Sequence, residues 1–221
     1  GHENTAVGSY SLAGNTKGDD NVAVGSLALT NNTEGNWNTA SGYQALYSNT
    51  TGTANTASGT GALSANTTGY NNTALGFSAL RYNTIGYYTA ASGVDALYSN
   101  SDGDENTASG GNALFYNTTG NNNIALGYSA GSSLTTGSNN IDIGNAGVGG
   151  ESGVMRLGHT TTTTNCHIAG IRGVITNIAG AIAVVIDSNH QLGTASSSRR
   201  FKEDIKDMPA ASASDLRKLR P

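Results

Sequence analysis

Proline is nearly missing from this chain, with two in 221 residues, at Pro209 and Pro221. Every backbone N–H ahead of Pro209 is therefore free to join a hydrogen-bond ladder. There is one cysteine, Cys166, which excludes a disulfide framework within the chain. Its neighbour His167 has no second Cys-His pair at metal-ligand spacing, and His2, His159 and His190 stand isolated, so neither a metal nor a cofactor is expected. Phosphate loops, zinc motifs and the G-G-x-G-x-D signature of calcium rolls are missing too. No apolar run reaches ~18 residues, so no membrane span is expected. Aromatic residues make up only 6% of the chain, and large aliphatics are too sparse to fill a conventional globular core.

Charge is scarce and unevenly placed. The formal net charge is -4, with 12% charged residues. Residues 1–156 hold three bases, Lys17, Arg81 and Arg156, against ten acids, a net of -7. Residues 157–221 hold eight bases against five acids, a net of +3, and read as a separate segment. An acidic body without a basic patch excludes a nucleic-acid surface.

What the chain does have is a period. The phrase Asn-Thr-Ala-x-Gly begins at Asn4, Asn21, Asn38, Asn55, Asn72, Thr89, Asn106, Asn123 and Asn140, always 17 residues apart. Nine consecutive units of N-T-A-x-G-x-x-A-L-x-x-N-T-T-G-x-x predict an all-β roll or solenoid of nine 17-residue coils. The fifth position is glycine in every unit, from Gly8 to Gly144, which predicts positive φ or close backbone approach. A second glycine column runs from Gly18 to Gly137, and two glycine turns per unit predict two short strands per coil. Alanine fills the third position from Ala6 to Ala125 and gives way to Asp142, while leucine fills the ninth from Leu12 to Leu114. These side chains are expected to point inward and stack coil on coil. Asparagines in the first and twelfth columns are placed to form amide ladders. At ~4.8 Å per coil, the stack is a rod of about 40 Å. So thin an interior calls for partner chains, and three rolls side by side would bury outward residues such as Val22, Val24, Leu75 and Ile143. Tyr43, Tyr47, Tyr82, Tyr98, Tyr116 and Tyr128 scatter over several outward columns, which suits interface packing and an adhesive surface equally.

Residues 4–156, with N-T-A-x-G-x-x-A-L, resemble the head repeats of trimeric autotransporter adhesins, although the 17-residue unit is longer than is usual there. The resemblance implies a homotrimer of β-rolls and names no receptor, while exposed Asn, Thr and Tyr offer a hydrogen-bonding and stacking surface for a surface glycan or receptor.

The period fails after Ile143, and a connector with Gly149-Gly150 and Thr160–Thr164 follows. Ala181–Asp187 reads as a strand, Asp187–His190 as a turn and Gln191–Thr194 as a short strand. The strings I-A-G-I-R-G, V-V-I-D-S, Q-L-G-T and S-S-S-R-R-F-K-E-D-I, over 165–221, resemble the opening of the C-terminal intramolecular chaperone of phage tail fibres and endosialidase-type tailspikes. That resemblance implies chaperone-driven trimerisation followed by self-cleavage through a Ser-Lys dyad. Carried over, the nucleophile is Ser197, the general base Lys202 and the scissile bond Ser196–Ser197, with Ser196 and Ser198 as competing nucleophiles. Read from the residues alone, a serine five positions before a lysine in a basic loop is a solvated linker. The expected organisation is a roll over 1–156, a β-rich neck over 157–196 and the start of a truncated chaperone over 197–221. Gly1-His2-Glu3-Asn4 enters mid-pattern without a visible signal peptide, as a fragment would.

The expected function is a structural or adhesive trimeric fibre, a phage tail fibre or bacterial surface filament lying outside the cell. Two alternatives compete. A glycan-degrading tailspike enzyme would draw its carboxylates from Asp19-Asp20 or Asp104-Glu105, yet adjacent strand residues face opposite ways. An ice-binding roll would use Thr50-Thr51, Thr67-Thr68 and Thr118-Thr119, a column broken by Lys17, Glu34 and Ile85.

Overall fold

The structure, a computed structural model, describes residues 1–159 and 161, and the backbone of 184–186 and 192–194. Its contacts divide the chain into two units, Gly1–Cys166 and His167–Pro221.

The first unit is the expected all-β solenoid. Each lap supplies one three-residue strand: β1 (Thr5–Val7), β2 (Val22–Val24), β3 (Thr39–Ser41), β4 (Thr56–Ser58), β5 (Thr73–Leu75), β6 (Ala90–Ser92), β7 (Thr107–Ser109), β8 (Ile124–Leu126), β9 (Ile141–Ile143) and β10 (Met155–Leu157). The ten pair in parallel and in chain order. Register advances by one repeat per strand, as in Ala40 beside Ala57 and Ala74 beside Ala91. Only the last step is shorter, setting Arg156 beside Asp142. The second unit contains a short antiparallel pair, β11 (Val184–Ile186) and β12 (Leu192–Thr194), inside the two stretches expected to be extended. The turn expected between them lies outside the described residues.

The two strands per coil expected from two glycine columns are corrected to one, because the columns do different work. The fifth-position glycines from Gly8 to Gly127 sit at φ between 117° and 144°, where L side chains are strained, and they turn the chain out of the strand. The fifteenth-position glycines have ordinary φ and are small for another reason. A Cβ on Gly52 would lie 2.4 Å from the Gly69 carbonyl oxygen and 2.3 Å from Asn49 Oδ1. That column marks close approach between laps and starts no second strand.

Each lap is closed by residues that accept left-handed backbone without being glycine. The ninth-position leucines, Leu12 to Leu114, all sit at φ of 50–52°. This conformation costs roughly 1–2 kcal/mol per residue. It also drives the leucine side chain into the interior, where Leu29 to Leu114 are fully buried beside the alanines of the third and eighth columns. Burying a leucine returns ~1.5–3 kcal/mol, which offsets the strain.

Polar ladders complete the interior. In the first column Asn38 Nδ2 donates to the Gly52 carbonyl at 2.8 Å, while Asn38 Oδ1 accepts the Asn55 N–H at 3.0 Å. In the twelfth column Asn49 Nδ2 donates to Asn32 Oδ1 at 2.8 Å and to the Gly52 carbonyl at 3.0 Å. Both ladders follow the columns that the repeat marks. Buried amides are stable only when partnered, and here every lap partners the next.

The eighth lap departs from the pattern. Gly131 replaces the ninth-position leucine, and Leu134, three residues on, carries the apolar side chain into the interior at 1% exposure. Asp142 replaces the third-position alanine of the next strand and lies against Gly131 and Gly147.

Candidate functional site

The first surface is the outer face of the parallel sheet. In β2 to β8 the middle residue, at the third repeat position, is buried, while the residues on either side of it point outward. Parallel sheets are normally covered on both faces. Here Val7, Val22 and Val24 at one end, and Ile124, Leu126, Met155 and Leu157 at the other, are 38–65% exposed. Between them β3, β4 and β7 present threonine and serine. The outward positions named from the sequence, Val22, Val24 and Leu75, are exposed, and Ile143 is half-buried.

The second surface is aromatic. Tyr98 and Phe115, one repeat apart, stack with ring centroids 5.0 Å apart and planes within 2°. Tyr82 meets Tyr98 edge-on at 5.0 Å, and Tyr116 meets Phe115 edge-on at 4.7 Å. This four-ring strip ends beside a shallow cleft of about 220 Å³ lined by Asn112, Phe115, Tyr116, Ser129 and Ser132. A separate cluster joins Tyr70, Tyr87 and Tyr88. Tyrosines scattered over several columns in the sequence are paired in the structure. The pairing lies in the 17-residue arithmetic, which puts residue 98 directly under 115 and residue 70 under 87.

The third feature closes the roll. Asp142 is 1% exposed, and neither carboxylate oxygen has a hydrogen-bond partner among the described residues. Arg156 sits one strand above in register. Its guanidinium turns to Glu151 instead, with Nη2 to Oε2 at 2.6 Å and Nε to Oε1 at 2.9 Å. Burial, reinforced by the Glu151 charge and opposed by Arg156, pushes the Asp142 carboxyl up to about 6. Hydrogen bonding to Arg156 holds Glu151 below its usual range. In the unfolded chain Asp142 titrates near its ordinary 3.8. The folded state therefore binds the proton more tightly, and stability falls as pH rises through about 6. The melting temperature is expected to rise as the solution is acidified from neutral to about pH 5, and Asp142→Asn should flatten that slope. Calorimetry over this range checks both; Glu151 acts in the opposite direction only at lower pH.

Ser196, Ser197, Ser198 and Lys202 lie outside the described residues, as does most of the neck and chaperone stretch over 157–221. Each acid pair has a member inside the backbone scaffold: Asp19 accepts the His2 N–H, and Asp104 accepts the Tyr87 N–H at 2.9 Å. The first threonine of each Thr-Thr pair also bonds along the stack. Thr50 Oγ1 donates to the Thr67 carbonyl at 3.0 Å, and Thr67 Oγ1 donates to the Thr84 carbonyl at 3.0 Å. Among the described residues no cluster of three or more His, Cys, Asp or Glu could hold a metal, and no helix is long and apolar enough to cross a membrane. No protein-family model matches the chain, and no curated protein or solved structure matches it.

Proposed function

We propose that the roll is the rigid, adhesive section of a homotrimeric fibre displayed outside the cell, on a phage tail or a bacterial surface. The observation that carries this reading is the uncovered outer face of the sheet. A solenoid whose inner laps each bury one leucine and two alanines gains little from its own interior, yet its outer face leaves valine, isoleucine and leucine in water at both ends. Packing copies of that face together removes this apolar surface at ~25 cal/mol per Å². Three copies follow the likeness to adhesin heads. In the same reading the stretch from Ser197 onward belongs to an assembly chaperone, released from the full-length precursor by Ser197 with Lys202 as base.

Sedimentation equilibrium of the purified chain tests the assembly. The expected result is a species of three times the chain mass. Placing aspartate at both Val24 and Leu126 should shift it to the single-chain mass, because each copy would then bury two unpaired charges. A well-folded monomer in the unmodified protein would remove the basis of the fibre reading.

A further inference from the structure

The stacked rings of the aromatic strip follow the lap spacing. Tyr98 and Phe115 occupy the tenth repeat position on consecutive laps. The next residue in that column is Ser132, so where a third ring would stack the roll has a short hydroxyl side chain. The cleft of about 220 Å³ lies here, between Phe115 and Ser132, with Tyr116 set at 80° to Phe115 as a side wall. Asn112, Ser129 and Ser132 complete the lining, which contains no charged group. Asn112 Nδ2 lies 3.5 Å from the hydroxyl of Tyr128, a ring 78% exposed on the next lap.

We propose that this cleft binds one ring of a neutral glycan chain, seated on Phe115 in the step that the aromatic column leaves vacant. The inference rests on the adhesive reading above and gives it a place and a ligand class. A pyranose has an apolar C–H face and a rim of hydroxyls. The cleft offers two aromatic rings set nearly perpendicular to each other, one amide and the hydroxyls of two serines, which are the complementary groups. An anionic sugar would find no base in the lining. A nucleic acid would meet a roll with three bases against ten acids. An aromatic side chain of a protein partner would fill the ring step and leave the amide and hydroxyls without a role. The volume lies below the ~300–1,000 Å³ of pockets for drug-sized ligands, so the cleft takes one ring of a chain that runs on along the roll. Affinity per cleft is expected near ~1 mM, with avidity from repeated copies along a fibre.

The test uses the whole chain on an immobilised panel of neutral cello-, malto-, manno- and chito-oligosaccharides, with polysialic acid and heparin fragments as charged controls. Any hit is then titrated by ligand-observed NMR. Binding to at least one neutral series is expected. Ser132→Phe, which fills the vacant step in a column that already accepts Tyr47 and Tyr98, should weaken it about tenfold or more, as should Tyr116→Ala. Tyr70→Ala, in the separate ring cluster, should leave it unchanged, and all three variants should keep the far-UV spectrum of the parent. Failure to bind any neutral oligosaccharide, binding confined to the charged controls, or undiminished binding by Ser132→Phe overturns the proposal. A trimer that binds no sugar sinks the cleft and leaves the fibre intact, whereas a monomer whose sugar binding Ser132→Phe abolishes does the reverse.

Discussion

Replacing Gly59 with alanine is expected to split the roll at its fourth lap. Gly59 sits at φ 141°, and a Cβ there would lie 2.3 Å from the Gly76 carbonyl oxygen and 2.6 Å from its carbon. The obstacle is the backbone of the next lap, so no rotamer change relieves it. The backbone conformation costs alanine ~1–3 kcal/mol, and the forced separation of two laps adds a similar amount. The combined loss of about 2–6 kcal/mol should lower the melting temperature by about 10 °C. Because each lap touches only its neighbours, the damage is local, and limited proteolysis should cut between the third and fifth laps while the outer laps stay protected. Gly144→Ala is the control. Gly144 also has positive φ, at 61°, yet nothing lies within 4 Å of the added Cβ, so only the conformational cost of about 1 kcal/mol applies. Equal melting temperatures for the two variants would show that close approach between laps does not set the fifth column.

That contrast shows where sequence reading works in a solenoid. A strict period makes stacking legible: residues 17 apart become neighbours, and the alanine, leucine and asparagine columns follow the interior that the structure contains. What the period hides is why a column is constant. Glycine at the fifth position answers both to φ and to the backbone of the next lap, and glycine at the fifteenth to close approach alone, from the Asn49 amide and the Gly69 carbonyl, yet both read as the same letter. Read as turns, the two columns predict one strand too many per lap. Positive φ at the leucines was illegible because leucine has no preference for that region and occupies it here only for the burial it gains. Departures from the period hold the remaining information. Asp142 stands out in an alanine column, but its lack of a partner depends on Arg156 choosing Glu151, a contact outside the repeat. The cleft beside Phe115 needs two departures at once, a ring at 115 and a serine at 132, and neither is unusual alone.

The buried asparagines carry the second large effect. Asn66→Leu keeps the number and branching of the side-chain heavy atoms and removes the amide. Asn66 Nδ2 donates to Asn49 Oδ1 at 2.7 Å, and Asn66 Oδ1 accepts from Asn83 Nδ2 at 3.0 Å. The Gly69 carbonyl, which Asn66 also serves at 3.0 Å, keeps its second donor, Asn55 Nδ2 at 2.8 Å. The substitution therefore strands the Asn49 Oδ1 acceptor in the lap before and one of the two N–H groups of Asn83 Nδ2 in the lap after, whose other N–H keeps the Gly86 carbonyl at 3.0 Å, where water does not reach. At ~1–3 kcal/mol for each orphaned group the expected loss is about 2–5 kcal/mol, read as a fall in the urea midpoint. The protein itself marks the limit of the rule. Leucine does occupy this column once, at Leu134, where the ladder ends and the last amide oxygen, on Asn117, is met from the side by Asn123 Nδ2 at 3.5 Å. The converse change belongs to the same argument. At Thr89 the first-column ladder meets a hydroxyl that donates to the Tyr87 carbonyl at 3.1 Å and has no amide oxygen for the Asn106 N–H. Thr89→Asn should supply that acceptor, raising stability by about 1 kcal/mol. If Asn66→Leu leaves the midpoint where it was, or Thr89→Asn lowers it, then the leucine and alanine columns hold the laps together and the amides merely fill space between them.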